Sequence, residues 1–359
     1  MAKIRVAVIF GGVSSEHDVS LLSAASVIDN IPTDKYEIIQ IGITNKGRWL
    51  YYPGNTDLLR SGDWEQHADC VPAFISPDRA IHGIVKGSGA NFTTQKIDVI
   101  FPVLHGKNGE DGTIQGLFEL ADIPYVGCDV ISSANCMDKA VANTLFDAAG
   151  IARCKWDYML RTDMKDFDAI AARIEKKLGY PIFVKPANAG SSVGISKAHN
   201  IEELRVAVQL ACAHDHKIVF EEAVNGQEVE CAVLGNDAPI SSTPGEIVAC
   251  NEFYDYEAKY LAGTSQLFIP ARLSQDKLEE VKQAAVEAYK ALGCSGLSRC
   301  DFFVEKDTGR VLINEINTLP GFTSISMYPK MMEHEGIAYS QLLDKLIALA
   351  LEKVDNSYE

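Results

Sequence analysis

Apolar runs closed by glycine set the rhythm of the chain. Val6–Phe10 is continuously apolar and ends in Gly11-Gly12, the pattern of a buried parallel strand. Ser14 and Ser15 offer helix caps, with Asp18 three residues after Ser15 in the manner of a capping box, and the helix is predicted to run to about Asn30, before Pro32. A strand over Tyr36–Ile43 completes a βαβ unit. Residues 50–95, with Pro53-Gly54, Trp64 and GSGANFTTQ, read as an insertion or loop-rich hairpin region. Ile97–Leu104 is the next strand, ending in His105-Gly106, and the glycine-rich KNGEDGTIQGLFEL leads into a helix over about 113–121.

A second block opens with a helix through Ala149-Gly150 and a helix over about 165–178. Strand Ile182–Lys185, the loop Pro186–Gly194, strand Ile195–Lys197, a helix over about 201–214 and strand Lys217–Glu221 follow. The last block carries strand Val229–Leu234, an irregular tyrosine-rich stretch at 253–271, a helix over about 274–292, a hairpin, and a final helix over about 338–353. The irregular stretch is read as an ordered flap over a site. The predicted units are 1–138, 139–221 and 222–359.

The hairpin, Arg299–Met327, is where the chemistry concentrates. Asp307-Thr308-Gly309 separates two apolar runs. Glu315 and Asn317 are two apart and share a sheet face, with Asp301 able to lie opposite. Three oxygen ligands without His or Cys suit Mg²⁺ bridging phosphates rather than zinc. Solvated acids on an ordinary hairpin are the plain alternative.

Other candidates carry similar alternatives. The Gly190–Gly194 loop lacks the Walker pattern, yet its small residues let backbone N–H groups approach phosphates. Lys185 in an apolar strand needs an anionic partner, and Lys139 heads the block. Glu221, Glu222 and Glu228 read either as acceptors for adenine and ribose or as an exposed polar strand end. Glu16 in a first helical turn suits a cationic ligand or simply the helix dipole, and His105 is either a ligand contact or a turn residue.

Composition narrows the field. The chain has 359 residues, 47% hydrophobic and 23% charged, a globular balance with room for two or three domains. Its net charge of −16 argues against nucleic-acid or anionic-membrane partners. Nine cysteines without CxxC spacing read as free thiols in a reducing cytoplasm. No apolar run reaches the ~20 residues needed to span a bilayer.

Seven stretches in order, FGGVSSEHDVS, LHGKNGEDGTIQG, CMDK, FVKPANAGSSVGISK, FYDYEAKY, SRCDFF and NEINTLPGFTSISM, make the chain resemble the D-alanine–D-alanine ligases over nearly its whole length. The resemblance implies an α/β, three-domain ATP-grasp architecture, with an N-terminal Rossmann-like parallel-sheet domain and ATP between the central and C-terminal domains. It implies that Lys139, Lys185, Ser191, Ser192, Val193 and Gly194 hold the phosphates, with Lys259 above them and Asn314 also at the ATP site. Glu221, Glu222, Val224 and Glu228 are implied around adenine and ribose, and Asp301, Glu315 and Asn317 around two Mg²⁺ (or Mn²⁺) ions. Glu16 is implied to hold the first D-alanine's ammonium and His105 to lie near its carboxylate; Ser191 and Tyr260 link to Glu16 and tie the flap shut. Arg299 and the Gly321 N–H are implied as an oxyanion hole, and Ser326 as the second substrate's carboxylate site.

The implied product is D-alanyl-D-alanine for peptidoglycan, made by a cytoplasmic homodimer through a D-alanyl phosphate. Met327 is apolar where D-serine and D-lactate variants often carry arginine, which favours D-alanine as acceptor. Ile325 and Asn188-Ala189 depart from the family pattern, and bear on the acceptor pocket and the loop contacts. The alternatives are a D-Ala–D-Ser or D-Ala–D-Lac ligase, an ATP-grasp ligase for other carboxylates, and a silent nucleotide-binding module; a dehydrogenase is excluded because GxGxxG is absent.

Overall fold

Three sheets organise the protein, seen in a computed structural model that describes residues 2–190, 192–248, 266–323 and 325–355. In the first, Ile4–Gly11 lies parallel between Tyr36–Ile43 and Val99–Val103, so the Rossmann-like centre is formed as expected. Both flanking strands cover it, and Val6 to Phe10 are fully buried. The region 50–95 extends this sheet. Trp49–Tyr51, Val71–Ile75, Gly83–Ser88 and Asn91–Lys96 pair antiparallel in succession beyond Tyr36–Ile43. Their polar outer faces and internal glycines hide the strand period, which is why the sequence reads as loops. Trp64 anchors this extension; it is buried edge-on against Phe10 and Tyr52, with ring centroids 5.1 and 5.9 Å apart.

The first helix is His17–Asn30, and the anticipated capping box does not form. Glu16 occupies the cap position without a side-chain cap bond, while the Glu16 N–H donates to Ser14 Oγ at 3.1 Å. Gly11 and Gly12 have φ of +87° and +99°, the left-handed turn that glycine takes without strain. The Gly11 N–H donates to Ser20 Oγ at 2.7 Å.

The second sheet is antiparallel, in the order Ser196–Ala198, Ile182–Pro186, Lys217–Glu222, Trp156–Leu160. Helices Phe167–Leu178 and Ile201–His214 bury Ile174, Leu204 and Val208 against it. The third sheet orders Gln266–Phe268, Gly245–Val248, Gly226–Leu234, Leu297–Glu305 and Val311–Asn317, with Ile240–Ser241 paired to its central strand. Helix Gln275–Ala291 covers it through Val281, Ala285 and Tyr289.

Packing crosses the seams between sequence blocks. Leu342, Leu343, Leu346 and Ile347 of helix Tyr339–Asp355 share one core with Val6, Val8, Phe10 and Phe101 of the first sheet. Phe146 of helix Lys139–Ala148 sits in the core of the third sheet with Cys136, Val229 and Ile313. Among the described residues all eight cysteines are free, six of them buried, and no helix is long and apolar enough to cross a membrane.

Candidate active site

The hairpin folds as read, from Leu297–Glu305 and Val311–Asn317, and its register is decisive. Asp301 stands opposite Glu315 and Arg299 opposite Asn317, with a bulge between Asp301 and Phe302. The Arg299 guanidinium donates to both Asp301 oxygens at 2.7 Å and pairs with Glu230 at 3.1 Å. Asn317 Nδ2 donates to Asp301 at 2.9 Å. Burial works against the Arg299 charge, but Asp301 and Glu230 more than offset it and hold its pKa well above normal. Two carboxylates and an amide oxygen on one face form a donor set suited to a hard cation. Among the described residues no cluster of three or more His, Cys, Asp or Glu is arranged around a point, so such an ion needs phosphate or water oxygens to complete its shell.

The facing wall belongs to the second sheet. Lys185 Nζ pairs with Glu221 at 2.5 Å and donates to Asn314 Oδ1 at 3.4 Å. Burial opposes the Lys185 charge, yet Glu221 outweighs it and the pKa is raised. The Glu221 carboxylate, expected at adenine, is thus committed to Lys185, with Asn143 Nδ2 at 3.4 Å. Lys139 Nζ donates to Ala189 O at 2.9 Å and lies 3.7 Å from Glu315. It therefore bridges the loop and the hairpin. In the loop, the Val193 N–H donates to Gly190 O at 3.1 Å, and Ser192 and Gly194 take φ of +59° and +74°. Glu222, Val224 and Glu228 line the same cavity, and Glu222 accepts from the Lys155 N–H at 2.8 Å. Ser191, Lys259 and Tyr260 lie outside the described residues.

The first sheet supplies the third wall. Glu16 is buried on the cavity, its Oε2 2.6 Å from where a Cβ on Gly106 would stand and 3.1 Å from one on Gly190. It therefore sits between the Gly106 turn and the Gly190 loop. His105 is buried with both ring nitrogens engaged, Nδ1 with Leu319 O at 3.0 Å and Nε2 with Ser23 Oγ at 3.2 Å. Burial holds its pKa below normal. Gly321 lies beside Ser326, whose Oγ accepts from the Thr323 N–H at 3.1 Å. Met327 begins helix Met327–His334; it lines the cavity and also packs in the core, its Cε pressed toward Gly245. Ile325 is half exposed at the cavity mouth.

These walls enclose one cavity of about 1030 Å³, large enough for a nucleotide with two small substrates. Two acids in it were not anticipated as site residues. Glu230 interrupts an apolar strand, the same signal that exposed Lys185. Glu110 looks like a polar turn residue in KNGEDG, but is half-buried between Gly106 and Leu319, and desolvation together with the nearby Glu16 charge pushes its pKa up to about 8.

The chain is similar to one family over nearly its whole length. Residues 5–128 match the family described as D-ala D-ala ligase N-terminus, and residues 145–348 that described as D-ala D-ala ligase C-terminus. A D-alanine–D-alanine ligase of Acetivibrio thermocellus is 54% identical over 99% of this chain and 98% of its own, and one of Caldicellulosiruptor bescii is 53% identical over 98% and 96%. Among solved structures, the VanG D-Ala:D-Ser ligase of Enterococcus faecalis superposes with a TM-score of 0.89 at 46% identity, covering 97% of this chain and all of the other. The D-alanine–D-alanine ligase of Coxiella burnetii gives 0.86 at 34% identity, covering 98% and 96%. Full-length likeness at this level, over both halves of the family, means that the chain belongs to the D-alanine–D-alanine ligases and has their ATP-grasp fold.

Proposed function

We propose that this protein joins two D-alanines into D-alanyl-D-alanine at the expense of ATP, supplying a peptidoglycan precursor. The observation that carries the reading is the convergence of Lys139, Lys185, Arg299, Asp301, Glu315 and Glu16 on one cavity between three sheets. In this reading Lys139 and Lys185 hold the phosphates, with the turn around Ser192 and Val193 and, from outside the described residues, Ser191 and Lys259. Glu222, Val224 and Glu228 face adenine and ribose, and Glu221 serves first as the counter-ion of Lys185. Asp301, Glu315 and Asn317 hold Mg²⁺, which when bound neutralises charge on the phosphate oxygens.

Glu16 binds the ammonium of the first D-alanine and so aims its carboxylate at the γ-phosphorus. A carboxylate oxygen forms the new P–O bond as the bond to ADP breaks, giving a D-alanyl phosphate. The free amine of the second D-alanine, whose carboxylate is held near Ser326, then attacks the carbonyl carbon. Arg299 and the Gly321 N–H face the oxygen that becomes negative. Phosphate leaves with the C–O electrons, and the amine loses its proton. Tyr260, with Ser191, closes the flap and keeps water from the acyl phosphate.

D-alanine is the favoured acceptor, since Met327 offers an apolar wall. The likeness to a D-Ala:D-Ser ligase supports D-serine as the second reading. The proposal extends to a homodimer in the cytoplasm and to the units 1–138, 139–221 and 222–359. The test is phosphate release from Mg-ATP with D-alanine alone, then with D-serine or D-lactate added, and products identified by mass. Dipeptide as the main product supports the reading. Dominance of mixed products at modest D-serine would transfer the protein to the second reading, and no release with any D-amino acid would end both. Glu315→Gln is expected to lower turnover by at least about 100-fold with an unchanged thermal midpoint; near-normal turnover would remove Glu315 from the metal site.

A further inference from the structure

The loop that presents Gly321 is held from both sides by the first unit of the chain. On the near side, both backbone groups of Leu319 are taken. Its N–H donates to Glu110 Oε1 at 3.3 Å, and its carbonyl meets His105 Nδ1 at 3.0 Å. A carbonyl only accepts, so Nδ1 carries the proton and Nε2 accepts from the Ser23 hydroxyl at 3.2 Å. On the far side, Ser23 Oγ in turn accepts from the Phe322 N–H at 3.4 Å, and the Tyr339 hydroxyl donates to Phe322 O at 2.7 Å. Glu110 is itself fixed, because its Oε2 accepts from the Gly106 N–H at 2.6 Å. Pro320 has no N–H to give. Among the described residues the Gly321 N–H has no hydrogen-bond acceptor, although its neighbours on both sides are secured.

We propose that Glu110, His105 and Ser23 are positioning residues that lock the Leu319–Phe322 backbone and so aim the Gly321 N–H at the oxygen of the tetrahedral intermediate. The inference rests on the ligase reading, which gives Gly321 its task. It assigns Glu110 and Ser23 roles in catalysis that neither their sequence context nor any contact with substrate supplies. It also gives His105 work at the loop, since both its nitrogens are used there.

The decisive variant is Glu110→Gln. Glutamine has one acceptor oxygen, and its NH₂ nitrogen, unlike a carboxyl oxygen, cannot accept, so it would face one of the two N–H donors that Glu110 now satisfies. A tetrahedral phosphinate analogue of the dipeptide reports the aim of the oxyanion donors, since it mimics the intermediate. Expected for Glu110→Gln are a fall of about tenfold or more in both kcat and phosphinate affinity, with KM for ATP within about twofold of wild type. Ser23→Ala is expected to show the same pattern, about threefold or more, and decides the matter if Glu110→Gln does not fold. A structural role alone would lower the thermal midpoint and the active fraction but leave phosphinate affinity of the folded protein unchanged, and that result overturns the proposal. A wild-type protein that neither turns over D-alanine nor binds the phosphinate would instead overturn the ligase reading beneath it.

Discussion

At the scale of single residues, the site depends on glycines and acids whose roles come from what lies beside them. Gly106 has φ of +71°, and a Cβ there would stand 2.6 Å from Glu16 Oε2. Gly106→Ala therefore strains the backbone by about 1–2 kcal/mol and displaces the acid proposed to bind the first substrate. The expected outcome is a raised KM for D-alanine with KM for ATP little changed, read from initial rates over both substrates. Glu110 makes a pH prediction. Its ordinary pKa near 4.5 rises to about 8 in the folded protein, through burial and then the charge of Glu16. Between those values the native state keeps a proton that the unfolded chain has lost, so this group's effect is to lower stability as pH rises from about 4.5 to about 8. The urea midpoint of Glu110→Gln should fall less steeply than that of the wild type across this window. Equal slopes would mean that Glu110 titrates normally. Both residues stand in a motif that the sequence displayed, yet only Glu16 was legible as a site residue. Glu110 looks like any acid in a glycine-rich turn until folding sets it against the Gly106 and Leu319 N–H groups.

At the scale of elements, pairing across strands does the selecting. Lys185 and Glu221 sit on neighbouring antiparallel strands, where Lys185 opposes Val219 and Glu221 opposes Phe183, so the two charges meet diagonally on one face. Both are buried. Removing one partner strands the other without solvent, so Lys185→Met should cost about 3–5 kcal/mol, and Lys185→Met combined with Glu221→Gln should recover part of it. Urea unfolding of the two variants checks this; additive losses would show that the pair is not coupled. The sequence identified Lys185 because a lysine in an apolar strand needs a partner, but it could not name Glu221 as that partner, because register is a property of two strands. The hairpin differs. Asp-Thr-Gly marks its turn, so Asp301 could be expected across from Glu315 and Asn317, but the bulge between Asp301 and Phe302 is what brings Asp301 level with Glu315 rather than Asn314. The extension over 49–96 was missed for the converse reason, since short strands with solvated faces have no clear apolar alternation.

At the scale of the whole molecule, the cavity exists because units distant in sequence share cores. Helix Tyr339–Asp355 closes the core of the first sheet from the far end of the chain, and Leu346 is fully buried there. Leu346→Ala should cost about 2–5 kcal/mol. If the shared core behaves as one cooperative unit, the loss should appear in protection of the Ile4–Gly11 strand as well as of the helix, measured by hydrogen exchange. Loss confined to the helix would mean that the first sheet is stable without it. The net charge of −16 leaves this design intact, because Lys139, Lys185 and Arg299 concentrate positive charge where phosphate is proposed to bind.

Outside residues 49–96 the sequence by itself determined most of the order of strands and helices, the βαβ start, the acidic hairpin and the family. Those features are local: apolar period, turn chemistry and ordered motifs are all written within short windows of chain. Tertiary structure alone decided which charges became partners, that Glu110 and Ser23 reach the Leu319–Phe322 loop, and that the last helix belongs to the first core. Most of these join residues distant in sequence, from Lys185 and Glu221 to Ser23 and Phe322, and such contacts depend on register and burial that exist only once the chain has folded.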